Sequence, residues 1–127
     1  MPRINHFEYV YDDPDRAAKF YADAFGWKTE KWQAPDGGTE YWMVTTGPDS
    51  EQPGINGGFM KPADEHTPKV MNTLTVNDID EACKKVEAAG GSVMQPKMTI
   101  PGIGYQAYCT DPGGIAFGLH QSDETAK

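Results

Sequence analysis

The stretch that decides the fold is "HFEYVYDDPDRAAKFYADAFGW", residues 6–27. Its first half alternates. In an extended strand His6, Glu8 and Val10 point to one face, and Phe7, Tyr9 and Tyr11 to the other. Its second half changes period. Asp13 is placed to cap a helix, Pro14 suits the first helical position, and Asp15 suits the positive end of the dipole. Ala17, Phe20, Tyr21 and Ala24 form an apolar stripe at helical spacing, and Gly26 stops it. Three strand-like segments follow, at 27–33, 40–46 and 55–60, with turns at "PDGG" (35–38) and "GPDSEQPG" (47–54).

The same order recurs. "KVMNTLTV" from Lys69 reads as a strand, and "NDIDEACKKVEAAGG" as a helix capped by Asn77 or Asp78 and stopped by Gly90-Gly91. "SVMQPKMTI", "GYQAYCT" and "IAFGLHQ" are again three strands, with "DPGG" (111–114) as the tight turn before the last. Asp15-Arg16-Ala17-Ala18-Lys19 matches Asp80-Glu81-Ala82-Cys83-Lys84 at an offset of 65 residues. The chain is therefore a β-α-β-β-β unit written twice. Module one covers 3–61, a polar linker with Pro62 and Pro68 covers 61–69, module two covers 69–122, and a tail covers 123–127. His66 in the linker reads as a solvated loop residue.

The 127 residues suit one domain, or two small modules sharing a core. The net charge of −8 disfavours nucleic acid and anionic membrane as partners, since both need a basic face. No apolar run reaches the length of a membrane span, and no cleavable signal precedes the first strand. Cys83 and Cys109 form no CxxC pair and no zinc spacing, and with no signal peptide a reducing cytoplasm is the expected location. Cys83 lies on the stripe Ile79, Ala82, Val86, Ala89 and reads as core.

"HFEYVYDDPDRAAKFYADAFGW" and "GYQAYCTDPGGIAFGLHQ" resemble the opening and closing segments of vicinal oxygen chelate proteins. That superfamily includes glyoxalase I, extradiol dioxygenases, fosfomycin-resistance enzymes and bleomycin-binding proteins, and the resemblance covers residues 4–121. It implies an α+β fold of two tandem βαβββ modules, whose curled mixed sheets form a cleft with the helices outside. One scaffold here hosts isomerases, oxygenases, transferases and proteins that only bind, so fold does not fix function.

Alternation assigns the faces. Phe7, Tyr9, Tyr11, Ile55, Phe59, Leu74, Val76, Phe117 and Leu119 should pack on the helices. The opposite faces carry His6, Glu8, Val10, Asn56, Gly58, Met60, Met71, Thr73, Thr75, Gly118 and His120. These could face water, as polar residues of a half-buried sheet do by default. With the resemblance they become the cleft, where glycines leave room for something to approach the backbone. The expected ligand-contacting set is His6, Glu8, Asn56, Met60, Met71, Thr73, Tyr105 and His120. Tyr105 follows "IPGIG", a loop placed to form a rim or lid. Of Trp27, Trp32, Trp42, Tyr41, Tyr105 and Tyr108, one or two could stack on a planar ligand while the rest belong to the core.

In metal-dependent relatives, as the resemblance implies, ligands sit on the first and fourth strand of each module. Here those positions are His6, Gly58, Met71 and Gly118. A thioether and two glycines leave His6 alone, so neither a metal nor another cofactor is expected. The alternative is a divalent ion on a shifted set, His6, Glu8 and His120. His6 and Glu8 are also the candidates for catalysis, as a general base and the group that holds it, or they orient a ligand as a hydrogen-bonded pair. The leading expectation is a small-molecule binding protein, a homodimer because open half-barrels leave edges to cover. The alternatives are a metal-dependent lyase, isomerase or dioxygenase of the glyoxalase type, and an interaction module without a ligand.

Overall fold

The computed structural model describes residues 2–48 and 53–127. Residues 49–52 of the expected turn 47–54 therefore lie outside the described residues. The elements run β1 (Ile4–Val10), α1 (Pro14–Phe25), β2 (Lys28–Gln33), β3 (Glu40–Thr45), β4 (Asn56–Met60), β5 (Val70–Thr75), α2 (Ile79–Ala88), β6 (Ser92–Ile100), β7 (Gly104–Thr110) and β8 (Ala116–Ser122). This is the twice-repeated βαβββ order, and the fold is α+β. Two compact units divide the chain: His6–Val70, and Met71–Lys127 with the first residues as far as Asn5.

In the first unit the strand order is β2-β3-β4-β1. β1 runs parallel to β4, with Glu8 opposite Gly58, while β3 is antiparallel to β4, with Met43 opposite Gly58. The local signals act as the residue types require. The Asp13 side chain accepts from the Arg16 amide, Pro14 opens α1, and Gly26 ends it at φ 75°, a left-handed conformation that favours glycine. Phe7, Ala17, Trp42, Val44 and Phe59 are the buried core between sheet and helix, with Tyr9, Tyr11, Tyr21 and Trp27 against it. Trp42 keeps its indole N–H satisfied on Asp15 Oδ1 at 2.8 Å. Ile55, expected in this core, lies just before β4 and is 36 % exposed. The linker belongs with this unit, since the Val10 amide donates to the Lys69 carbonyl at 2.8 Å. His66 is exposed in it.

In the second unit the order is β5-β8-β7-β6. β5 is parallel to β8, with Thr73 opposite Gly118 and Thr75 opposite His120, and β7 is antiparallel to β8. Asp78, rather than Asn77, caps α2 by accepting from the Glu81 amide. Val76, Ile79, Ala107, Cys109 and Leu119 form the core, with Leu74, Cys83 and Phe117 against it. Burial pushes the Cys109 thiol up to about 11 and raises Cys83 as well, as befits packed thiols. The "IPGIG" loop is tied down. The Gly102 amide donates to the Ala126 carbonyl at 2.9 Å, and the Asp123 amide to the Ile103 carbonyl at 2.9 Å. A lid would have to break both bonds.

Candidate functional site

On the two faces away from the helices several side chains are withdrawn from water, although Met43, on the Tyr41 face of β3, is 49 % exposed. On the first, Glu8 is 3 % exposed and His6 is half-buried. Tyr41 stands between them. Its hydroxyl donates to Glu8 Oε2 at 2.8 Å and meets His6 Nε2 at 2.7 Å. A phenol has one proton, and with Glu8 as its acceptor the oxygen receives from His6, which fixes the Nε2–H tautomer or the imidazolium. The imidazole also lies nearly parallel to the Tyr41 ring, at an interplanar angle of 17° and a centroid distance of 6.3 Å. His6 and Glu8 are thus joined through a third residue and not paired directly.

Gly58 makes this arrangement possible. A Cβ there would collide with the Tyr41 hydroxyl and ring. What approaches the glycine backbone is a side chain of this same unit. Asn56 is spent on structure: its Oδ1 accepts from the Thr46 amide at 3.0 Å and from the Thr46 hydroxyl at 3.3 Å. Met60 is half-buried at the end of β4.

The second unit repeats the device with other chemistry. The offset of 65 that relates the two helices relates Tyr41 to Gln106, Glu8 to Thr73 and His6 to Met71. A Cβ on Gly118 would lie 2.7 Å from Thr73 Oγ1 and 3.0 Å from Gln106 Nε2. Gln106 Oε1 lies 3.0 Å from His120 Nδ1, and burial holds the His120 pKa below its ordinary value. Met71 and Thr73 are buried on this face. Tyr105 is not on it. β7 alternates, so Tyr105 shares the helix face with Ala107 and Cys109, and its hydroxyl reaches Asp123 Oδ2 at 3.2 Å. Gln106 and Tyr41, neither in the expected ligand-contacting set, hold the places on either side of the glycines.

These positions do not fit a metal centre of the kind the family pattern implies. Gly58 and Gly118 have no donor and no room for one, and Met71 offers a buried thioether. Among the described residues no three His, Cys, Asp or Glu side chains form a group that could hold a metal ion.

The model of the Glyoxalase/Bleomycin resistance protein/Dioxygenase superfamily matches residues 3–119. The chain belongs to that superfamily. Among its relatives, "Putative glyoxylase CFP32" of Mycobacterium tuberculosis is 36 % identical over 112 residues, which are 87 % of this chain and 42 % of that protein. "Anthracycline biosynthesis protein DauV" of a Streptomyces species is 29 % identical over 122 residues, 89 % of this chain and 44 % of that protein. The chain thus spans less than half the length of these relatives. Solved structures share the superfamily fold. Methylmalonyl-CoA epimerase from M. tuberculosis superposes with a TM-score of 0.69 at 18 % identity, over 94 % of this chain and 87 % of that one. A methylmalonyl-CoA epimerase in complex with methylmalonyl-CoA and NH4+ gives 0.71 at 16 % identity, over 100 % and 99 %. Among the described residues no helix is long and apolar enough to cross a membrane.

Proposed function

We propose that this superfamily member binds a small organic molecule on the sheet faces away from its helices, and holds it by side-chain hydrogen bonds without a metal ion. The His6–Tyr41–Glu8 chain carries this reading. It puts a buried carboxylate, a phenol and an imidazole in one connected line, at the place where the family pattern would put metal ligands. Such a line offers directed polar groups against a partly aromatic wall, the make-up of a small-molecule site. The epimerase bound to methylmalonyl-CoA supports a small organic ligand as the kind of partner this fold takes. A homodimer fits the exposed Phe20 and Phe25 on α1, which are 58 % and 68 % exposed. The thiols of Cys83 and Cys109, both free, agree with a reducing cytoplasm.

A second reading is acid–base chemistry, favoured by the same connected line, with His6 as the group that moves a proton and Tyr41 and Glu8 setting its tautomer. A metal-dependent lyase, isomerase or dioxygenase on the family's own ligand positions would need donors that Gly58 and Gly118 lack.

A thermal-shift screen of organic ligands, repeated with EDTA and with added Ni(II) or Zn(II), tests the main reading. Ligands should raise the melting temperature equally with and without EDTA, and less in Tyr41→Phe. A ligand effect that appears only with added metal would replace this reading with the metal-dependent one.

A further inference from the structure

A cavity of about 610 Å³ opens in the first unit between the end of β1, α1 and the linker. That is ample room for a small molecule. It lies on the helix side of the sheet, where Tyr9 and Tyr11 pack, and none of His6, Glu8 and Tyr41 borders it. Three rings line it, those of Tyr9, Tyr11 and Tyr21. Tyr9 and Tyr11 stand at 84° with centroids 6.4 Å apart, and Tyr9 and Tyr21 at 40° with centroids 6.4 Å apart. Parallel walls suit a flat ring, whereas walls turned through such angles suit a rounded group. The core fixes these rings. Tyr21 stacks on Trp27 at 4.4 Å, and Tyr9 and Tyr11 both meet the fully buried Phe59.

The remaining walls are acidic. Asp12, Asp64 and Glu65 border the cavity, and Lys69 is the one basic residue beside them. Asp64 is spent on the linker turn, where its Oδ1 accepts from the His66 amide at 2.8 Å, and Glu65 lies 3.5 Å from the His66 imidazole. No ion pair joins Asp12 or Lys69 to another described residue, so the Asp12 charge is not neutralised from within. Nor do these carboxylates gather into a metal site, since no such group of three exists among the described residues. We propose that the cavity binds a small organic cation, an alkylated ammonium held against the Tyr9, Tyr11 and Tyr21 rings with Asp12 as its counter-charge. Aromatic rings attract such a cation through their negative faces, and the surrounding carboxylates raise its local concentration. The same carboxylates repel a phosphate, so the ligand is a free cation and not a phosphorylated headgroup. This site is separate from the His6–Tyr41–Glu8 line and stands without it.

The test is an NMR titration of the full chain with three probes: choline, phosphocholine, and the neutral analogue of choline with a tert-butyl group in place of the trimethylammonium. It follows the tyrosine rings and the methyl groups of the probes. Choline should move the Tyr9, Tyr11 and Tyr21 resonances, show methyl signals shifted upfield by the ring currents, and leave the His6 imidazole unmoved. The neutral analogue should bind roughly three- to thirtyfold more weakly, the worth of a cation over aromatic faces. Phosphocholine should also bind more weakly than choline. Asp12→Asn, at an exposed position with no ion pair to lose, should keep the melting temperature and weaken choline about two- to fivefold, with a smaller effect at high salt. Equal binding of choline and its neutral analogue would show an apolar hollow indifferent to charge and overturn the proposal. Tighter binding of phosphocholine, or wild-type affinity in Asp12→Asn, would overturn it as well. So would tyrosine resonances that choline does not move, whether or not His6 responds.

Discussion

The Tyr41 hydroxyl fills the space in which a side chain at Gly58 would have to stand. It is not a loose end that can swing aside, because it is bonded to Glu8 and His6 at once. Gly58→Ala should therefore cost roughly 1–3 kcal/mol, the range for overpacking a tight site. Removing the obstacle should return most of that loss. Urea denaturation of Gly58→Ala, Tyr41→Ala and the double variant should give a coupling energy of the opposite sign to the single-variant cost. Additive losses would show that Tyr41 is not what Gly58 accommodates.

Tyr41→Phe keeps the ring and removes the link. It leaves Glu8, 3 % exposed, without the phenol as donor, so stability should fall by about 1–2 kcal/mol. The His6 Nε2 proton should change its NMR shift in the same variant, because the Tyr41 oxygen is its partner at 2.7 Å. An unchanged imidazole spectrum would break the chain from His6 to Glu8.

His120 sets a pH dependence. Burial lowers its folded-state pKa below the ordinary 6.5. The unfolded chain thus takes up a proton near pH 6.5 that the folded protein refuses until lower pH. Between the two values acid favours unfolding. Stability should be full above pH 6.5 and decline as pH falls below it, until the folded pKa is reached. Other groups titrate in the same range, so the comparison is with His120→Asn. The wild type should lose stability relative to that variant on going from about pH 7.5 to about pH 5 in urea denaturation. Parallel curves would place His120 in a wetter setting than its burial implies.

The repeat was open to reading because its signals are local. Asp13-Pro14 before an apolar stripe and Gly26 after it mark a helix without any knowledge of its surroundings, and Asp78 does the same in the second unit. The faces of β1 and β8 followed from alternation, since Phe7 and Leu119 contrast with Glu8 and His120. β3 gave no such contrast. "EYWMVT" is apolar or aromatic on both faces, so Tyr41 looked like core beside Trp42. That it crosses Gly58 depends on the register Met43 to Gly58, which is set between strands and not along one. Gln106 was more accessible. In "GYQAYCT" it is the amide opposite small core residues, and its alternation already puts Tyr105 on the helix side with Ala107 and Cys109.

The last prediction concerns metal. His6 keeps the first family position, but its Nε2 is engaged with Tyr41, so an ion binding there would have to displace a hydrogen bond with no carboxylate from Gly58 in return. A lone imidazole is a weak site. Untagged wild-type protein should shift its melting temperature by less than about 1 °C on adding Ni(II) or Zn(II) at tenth-millimolar level, or on adding EDTA. Gly58→Glu alone should unfold at lower temperature, since the new side chain must expel Tyr41. Gly58→Glu with Tyr41→Ala should recover part of that loss and melt higher with Ni(II) than without, because His6, Glu8 and the new carboxylate then share one face. A wild type stabilised by metal as strongly as this double variant would show that Tyr41 does not stand in for the missing ligand.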